Sequence, residues 1–127
     1  MDKQLLNPAT VSPPVGNYAH GVLVSNAQRM LFISGQIPAA PDGSIPKDFE
    51  SQARNCWRNI EAILKEAGMD FTNLVKTTTF LTDHKYLAAN RLVRNEMVGD
   101  VKCASSAIVA ATLLPEWLLE IEAIAVA

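Results

Sequence analysis

The sequence predicts an α+β domain of order β-β-α-β-α-β-β, with both helices packed on one face of a mixed sheet. Two segments, at 49–67 and 86–97, carry apolar residues at the three-and-four spacing of a helix face. Around them lie runs rich in apolar and β-branched residues, the signature of strands. The composition is that of one compact unit: 127 residues, 49% apolar and 19% charged, with 6 Gly and 7 Pro dispersed. This excludes a disordered, collagen-like or repeat-array chain. A chain of this length buries roughly two thirds of the surface its unfolded form exposes, enough for a core without staples. Residues 1–127 are therefore read as a single domain.

Residues 1–15 contain Pro8, Pro13 and Pro14, which resist helix and central strand, so they read as an extended arm. HGVLV and RMLFIS flank the four residues Ser25 to Gln28, a spacing that predicts a β-hairpin. Gly35 follows as a bulge or close-approach point. Residues 38–46 hold three prolines and the turn pair Asp42 and Gly43, and read as a surface loop. Asp48 is a fair N-cap for a helix whose stripe is Phe49, Ala53, Cys56, Trp57, Ile60, Ile63, Leu64 and Ala67, closed by Gly68. LVKTTTFL, at 74–81, reads as a strand with Val75, Thr77, Thr79 and Leu81 on one face. Asp83 caps a second helix, with the stripe Tyr86, Leu87, Ala89, Val93 and Met97, ending at Gly99. ASSAIVAATLL and WLLEIEAIAVA supply two last strands around a turn at Pro115 and Glu116. The final strand is apolar on both faces, so its second face needs a cover, and another subunit is the expected one.

The charge balance, 11 basic against 13 acidic residues with a net of -2, argues against a polybasic nucleic-acid or membrane-surface binder. Cys56 and Cys103 lie far apart, with no CxxC and no metal-ligand spacing, and read as two small buried hydrophobes. The N-terminus lacks a signal-peptide pattern and no stretch is long enough for a membrane span, which makes the cytoplasm the expected compartment. Phosphate-loop, dinucleotide, zinc-protease and nucleophile-elbow motifs do not occur. His20 and His84 stand alone, and no metal site is expected. In RNCWRN, Arg54 and Arg58 are four apart, as on a solvated helix face.

SGQIP at 34–38, QARNCWRNIEAILKEAG at 52–68, VKTTTFLTD at 75–83 and LLEIEAIA at 118–125 occur in this order. Together they resemble the Rid family, also called YjgF-like, the reactive intermediate deaminases, over nearly the whole chain. The resemblance implies a chorismate-mutase-like fold and a homotrimer whose sheets form a central barrel, with a small-molecule cleft at each subunit interface. It implies hydrolysis of enamines and imines to a carbonyl product and ammonia, with no metal or organic cofactor and no membrane partner. Carried over by position, Glu120 is the family's water-orienting acid. Tyr18 falls where the family has a cleft-lining tyrosine, although Asn17 replaces the usual proline before it. Ser34 and Gly35 match a turn whose backbone lines the cleft, and Asn90 matches a helix asparagine. For each the plain alternative is structural: a strand carboxylate, a hairpin aromatic, a tight bend and a solvated amide.

One departure affects function. Active family deaminases carry an arginine in a PARS- or PART-like segment, where its guanidinium grips the substrate carboxylate through two parallel hydrogen bonds. Here Ser105 or Ser106 stands at that position. Three readings stay open: a substitute cation from Lys102, Arg91 or Arg94; a neutral ligand held by the serine hydroxyls; or a trimer that binds a small molecule without catalysis. Ribonuclease activity, ascribed to some relatives, fits poorly with a pI near 5.6 and no basic stripe.

Overall fold

A computed structural model describes all 127 residues. Its strands are β1 (Asp2–Leu6), β2 (Gly21–Ser25), β3 (Met30–Gln36), β4 (Leu74–Leu81), β5 (Ala104–Val109) and β6 (Leu119–Val126). The helices are α1 (Phe49–Glu66) and α2 (Leu87–Val98), and short 3-10 turns at Phe71–Asn73 and His84–Tyr86 lead into β4 and α2. Four strands form a mixed sheet in the order β3-β6-β4-β5, with only the β4/β5 pair parallel. Both helices contribute to a single core with one face of this sheet, around Trp57, Ile60, Leu64, Val93 and Ile121. The α+β reading with helices on one side is therefore what the chain adopts.

Helix α1 begins and ends where its sequence dictates. The Asp48 side chain accepts from the Ser51 amide at 2.9 Å, satisfying one of the orphan donors of the first turn. Gly68 adopts φ +71 just beyond the C-cap Ala67, the left-handed turn that glycine adopts without strain. The second helix is reached less directly. Asp83 accepts from Lys85 N and so caps the 3-10 turn rather than α2 itself, and Leu87 is exposed instead of buried.

The expected hairpin between the HGVLV and RMLFIS strands does not form. Strand β2 pairs instead with β1, which lies within the 1–15 arm, as an antiparallel ribbon from Leu6↔Gly21 to Asp2↔Ser25. The cause lies in the connecting loop. Asn26 takes φ 59 and donates to Asp2, while the Gln28 and Arg29 amides both donate to the Ala127 carbonyl at 2.8 and 2.9 Å. These bonds dock the start of β3 onto the end of β6, whose ladder β3 then follows. Strand β5 is also shorter than expected. After Ala110 donates to Leu81 O, the chain leaves the sheet, and the single Thr112 hydroxyl proton is shared between Trp117 O (2.7 Å) and Leu114 O (2.9 Å).

A buried glutamine fixes the entry into β6. Gln52 is 1% exposed; its amide donates to the carbonyls of Pro46 (2.7 Å) and Glu116 (2.9 Å), and its oxygen accepts from Leu118 N (2.9 Å). Leucine there would leave these main-chain groups unpaired, at a cost of about 3 to 5 kcal/mol. Gln52→Leu is expected to lower the melting temperature by about 10 °C or more; an unchanged melt would refute this role.

Candidate functional site

The face of the sheet away from the helices is set by strand parity. Ser105 sits opposite Thr77, and Thr77 opposite the core residue Ala123, so these side chains share the helix face. Glu120 sits opposite Phe80 and, three residues from Ala123, points to the other face. Phe32, Ile124, Phe80 and Ile108 share that second face, where Phe32 is 70% and Ile108 51% exposed.

At the β3 border of this second face, the register with β6 shifts between Ile33 and Gln36. The shift is the bulge expected at Gly35, and Gly35 is also a point of close approach. A Cβ there would lie 2.1 Å from Glu120 Oε2 and 2.7 Å from its Cδ. The glycine is needed because the carboxylate lies directly over its backbone, not because of an unusual φ. Side chains of α1 hold the following segment in place. Cys56 Sγ meets Gln36 O at 3.3 Å, Asn59 Nδ2 donates to Ile37 O and Ala39 O, and Asn55 Nδ2 donates to Pro38 O. The RNCWRN segment is thus a clamp more than a solvated face, and its Arg54 makes a two-pronged bridge to Glu96 of α2 at 2.6 and 3.1 Å. Burial, with a smaller contribution from Glu120, pushes the Cys56 thiol up to about 12, so Cys56 stays protonated and non-nucleophilic near neutrality.

On the helix face, at the opposite border, α2, β4 and β5 enclose a cavity of about 320 Å³. Tyr18, Trp57, Thr77, Asn90, Arg94 and Ser105 are among its lining residues. Tyr18 is brought there by its neighbours: the Ala19 amide donates to Cys103 O at 3.0 Å, and Asn17 Nδ2 donates to Gly99 O at 3.2 Å. Asn17, in place of the family's proline, thus ties the Tyr18 segment to the end of α2. Ser105 Oγ lies 2.8 Å from Thr77 Oγ1 and 3.5 Å from Cys103 Sγ, whereas the Ser106 hydroxyl accepts from Lys76 Nζ at 2.9 Å on the other face. Both serines border the cavity, but only the Ser105 hydroxyl pairs with Thr77 on the helix side, the Ser106 hydroxyl being engaged by Lys76. Asn90 is 9% exposed, not the solvated amide it would be on a free helix, and its Oδ1 has no hydrogen-bond partner.

The sequence-derived site residues therefore fall into two groups. Ser34 and Gly35 of β3 lie with Glu120 of the neighbouring β6; Tyr18, Asn90, Ser105 and Ser106 line one cavity at the β5 border. Ser34 and Gly35 on β3 are separated from Ser105 on β5 by β6 and β4, about 14 Å, and Glu120 on β6 from Ser105 by β4, about 10 Å; the Glu120 and Ser105 side chains leave opposite faces of the sheet. A second cavity, of about 300 Å³ on the Glu122 face, includes Ser34 and Lys76, but neither it nor the first includes Glu120. Sequence reasoning did not single out Thr77 and Thr79, whose hydroxyl-bearing side chains line the first cavity. They were legible as a Thr-Thr-Thr run in a strand with one buried face, where a hydroxyl needs a partner.

A family model described as Endoribonuclease L-PSP matches residues 9–127. The crystal structure of YyfB from Yersinia pestis, described as a protein of unknown function of the conserved Rid protein family, superposes with a TM-score of 0.87 at 30% identity, covering all of both chains. The chain belongs to the Rid family. Two curated relatives of this Rid protein are 34% identical over 98% of its length. One is the putative reactive intermediate deaminase TdcF of Escherichia coli, covered over 97%; the other is the 2-iminobutanoate/2-iminopropanoate deaminase of Rattus norvegicus, covered over 90%. No group of three His, Cys, Asp or Glu side chains is placed to hold a metal ion, and no helix is long and apolar enough to cross a membrane.

Proposed function

We propose that this Rid protein is a homotrimer that hydrolyses enamine or imine intermediates in clefts formed between copies. The observation that carries the reading is the Glu120 carboxylate laid over Gly35 at the β3 bulge, on the face opposite the polar cavity of Tyr18, Asn90 and Ser105. Neither half is a complete site. The apolar side chains on the second face, Phe32, Phe80, Ile108 and Ile124, with Phe32 70% and Ile108 51% exposed, are suited to cover by another copy. A ring of head-to-tail contacts would place the β3 border of one copy against the β5 border of the next. Light scattering is expected to give three times the 13.8 kDa chain mass; the mass of one chain would contradict the assembly.

The chemistry asks little of the protein. The imine carbon is electrophilic, so water adds across C=N once it is held and oriented. Glu120 accepts the water's proton as the C–O bond forms, and nitrogen takes up a proton to give a carbinolamine. Cleavage of the C–N bond then releases ammonia and leaves the carbonyl product; an enamine reaches the same route by first taking a proton at carbon. The names of the relatives support this reaction class. The serine at the family's arginine position favours a second reading, a trimer that binds a small molecule without turning it over.

Ammonia and carbonyl release from imines generated in situ separates the two. With background hydrolysis subtracted, wild type should accelerate at least one imine and Glu120→Gln should not. No acceleration of any carboxylate-bearing or neutral imine would leave the binding reading.

A further inference from the structure

The cavity between α2 and β5 contains a cation with no carboxylate partner. Arg94 is half-buried, and the ion pairs of the chain are Arg54 with Glu50 and Glu96, and Lys65 with Glu61. No carboxylate lies within 4.0 Å of the Arg94 guanidinium. The group is held by main chain instead: Nη1 donates to Gly99 O at 2.8 Å, and Nη2 donates to Val101 O. Gly99 O also accepts from Asn17, so one carbonyl fixes both the guanidinium and the Tyr18 segment. A guanidinium has five N–H donors in a rigid fork, and these two bonds leave others for the cavity that Arg94 lines. Burial lowers its pKa, opposed by the neighbouring Cys103 and more weakly by Asp100, which lies beyond contact distance; an arginine remains charged regardless. The orphaned Asn90 Oδ1 and the unpartnered Trp57 Nε1 belong to residues lining the same cavity. A positioned charge with no carboxylate partner beside an unpartnered donor, Trp57 Nε1, suits a small anion, and the orphaned Asn90 Oδ1, an acceptor, suits a hydrogen-bond donor elsewhere on the same ligand.

We propose that Arg94 holds the anionic group of the ligand, so that in this chain the anion anchor is supplied by helix α2 and not by β5. This rests on the cavity being one wall of the cleft assigned above. Asn90 and Arg94 are one helical turn apart and project from the same face of α2, with Ser105 facing them from β5. The other basic candidates are less suited: Arg91 is exposed at the rim, and Lys102 is exposed and outside the cavity. The ligand class that follows is a small monoanion, a carboxylate in the simplest case, with polar atoms within reach of hydroxyl and amide groups.

The test is binding of pyruvate and of its uncharged amide, pyruvamide, followed on the ligand methyl resonance at fixed ionic strength. Wild type is expected to bind pyruvate about tenfold or more tighter than pyruvamide. Arg94→Gln should abolish that preference, Arg94→Lys should leave part of it, and Lys102→Gln should leave all of it. A purely structural arginine would weaken both probes alike on removal, so the ratio is the readout. Equal affinities in wild type, or a preference undiminished in Arg94→Gln, would overturn the proposal. Should Arg94→Gln fail to fold, as its melting curve would reveal, the wild-type ratio and Arg94→Lys decide, and an undiminished ratio in Arg94→Lys overturns it. Binding is scored without turnover, so it stands or falls separately from the deaminase reading. Arg94-dependent binding without imine hydrolysis refutes only the latter; hydrolysis of a carboxylate imine unaffected by Arg94→Gln refutes only the former.

Discussion

Replacing Gly35 by alanine is expected to cost about as much hydrolytic activity as replacing Glu120 by glutamine, while the fold survives. The added methyl would fall 2.1 Å from Glu120 Oε2, 2.7 Å from Cδ and 3.1 Å from Cγ. Every atom it meets belongs to one half-buried side chain, so the clash is relieved by swinging the carboxylate away, not by moving backbone. The penalty in stability is therefore small, below about 1 kcal/mol. The penalty in activity is large on the proposed role of Glu120, because displacing a group that orients the attacking water by an ångström or more costs on the order of 10²-fold in rate. Steady-state kinetics beside a thermal melt check both halves: a lost rate with an unchanged melt is expected. Full activity in Gly35→Ala would mean that the observed position of Glu120 is not the working one.

The sequence was most informative where a local rule and the global fold agree. The cap at Asp48, the stop at Gly68 and the α1 stripe follow from side-chain chemistry within a few residues, and the structure has them. The bulge at Gly35 was legible for the same reason. That β2 and β3 do not pair is not legible in the sequence, because a four-residue loop between two apolar runs is only a local signal. The loop's amides are claimed by Ala127, a hundred residues away in sequence, which no local pattern records. The face of Ser105 against that of Ser106 was likewise open until the pairing with Thr77 fixed the parity. Arg94 was visible as one of three basic candidates. That it is half-buried depends on the segment around Asn17 and on the carbonyls of Gly99 and Val101, which close over the end of α2. The spacing of Asn90 and Arg94, one turn apart, was the signal that could have singled it out.

The proposed cleft, drawing its parts from two copies, makes a sharp prediction. One variant lacks the acid, Glu120→Gln; the other lacks the polar wall, Tyr18→Leu with Asn90→Leu. Leucine suits the second position, since Asn90 is buried and its Oδ1 has no partner to lose. Each variant alone should be near background, because every cleft of its trimer misses the same half. In a ring containing both, one interface sets the intact Glu120 of the wall variant against the intact wall of the acid variant. Co-expressing the two with different affinity tags and purifying on both tags in turn isolates these mixed trimers. The account predicts that their imine hydrolysis recovers to about a third of the wild-type rate per trimer, one cleft of three restored. Activity no higher than the mean of the two parent variants would contradict it and return the whole site to a single chain.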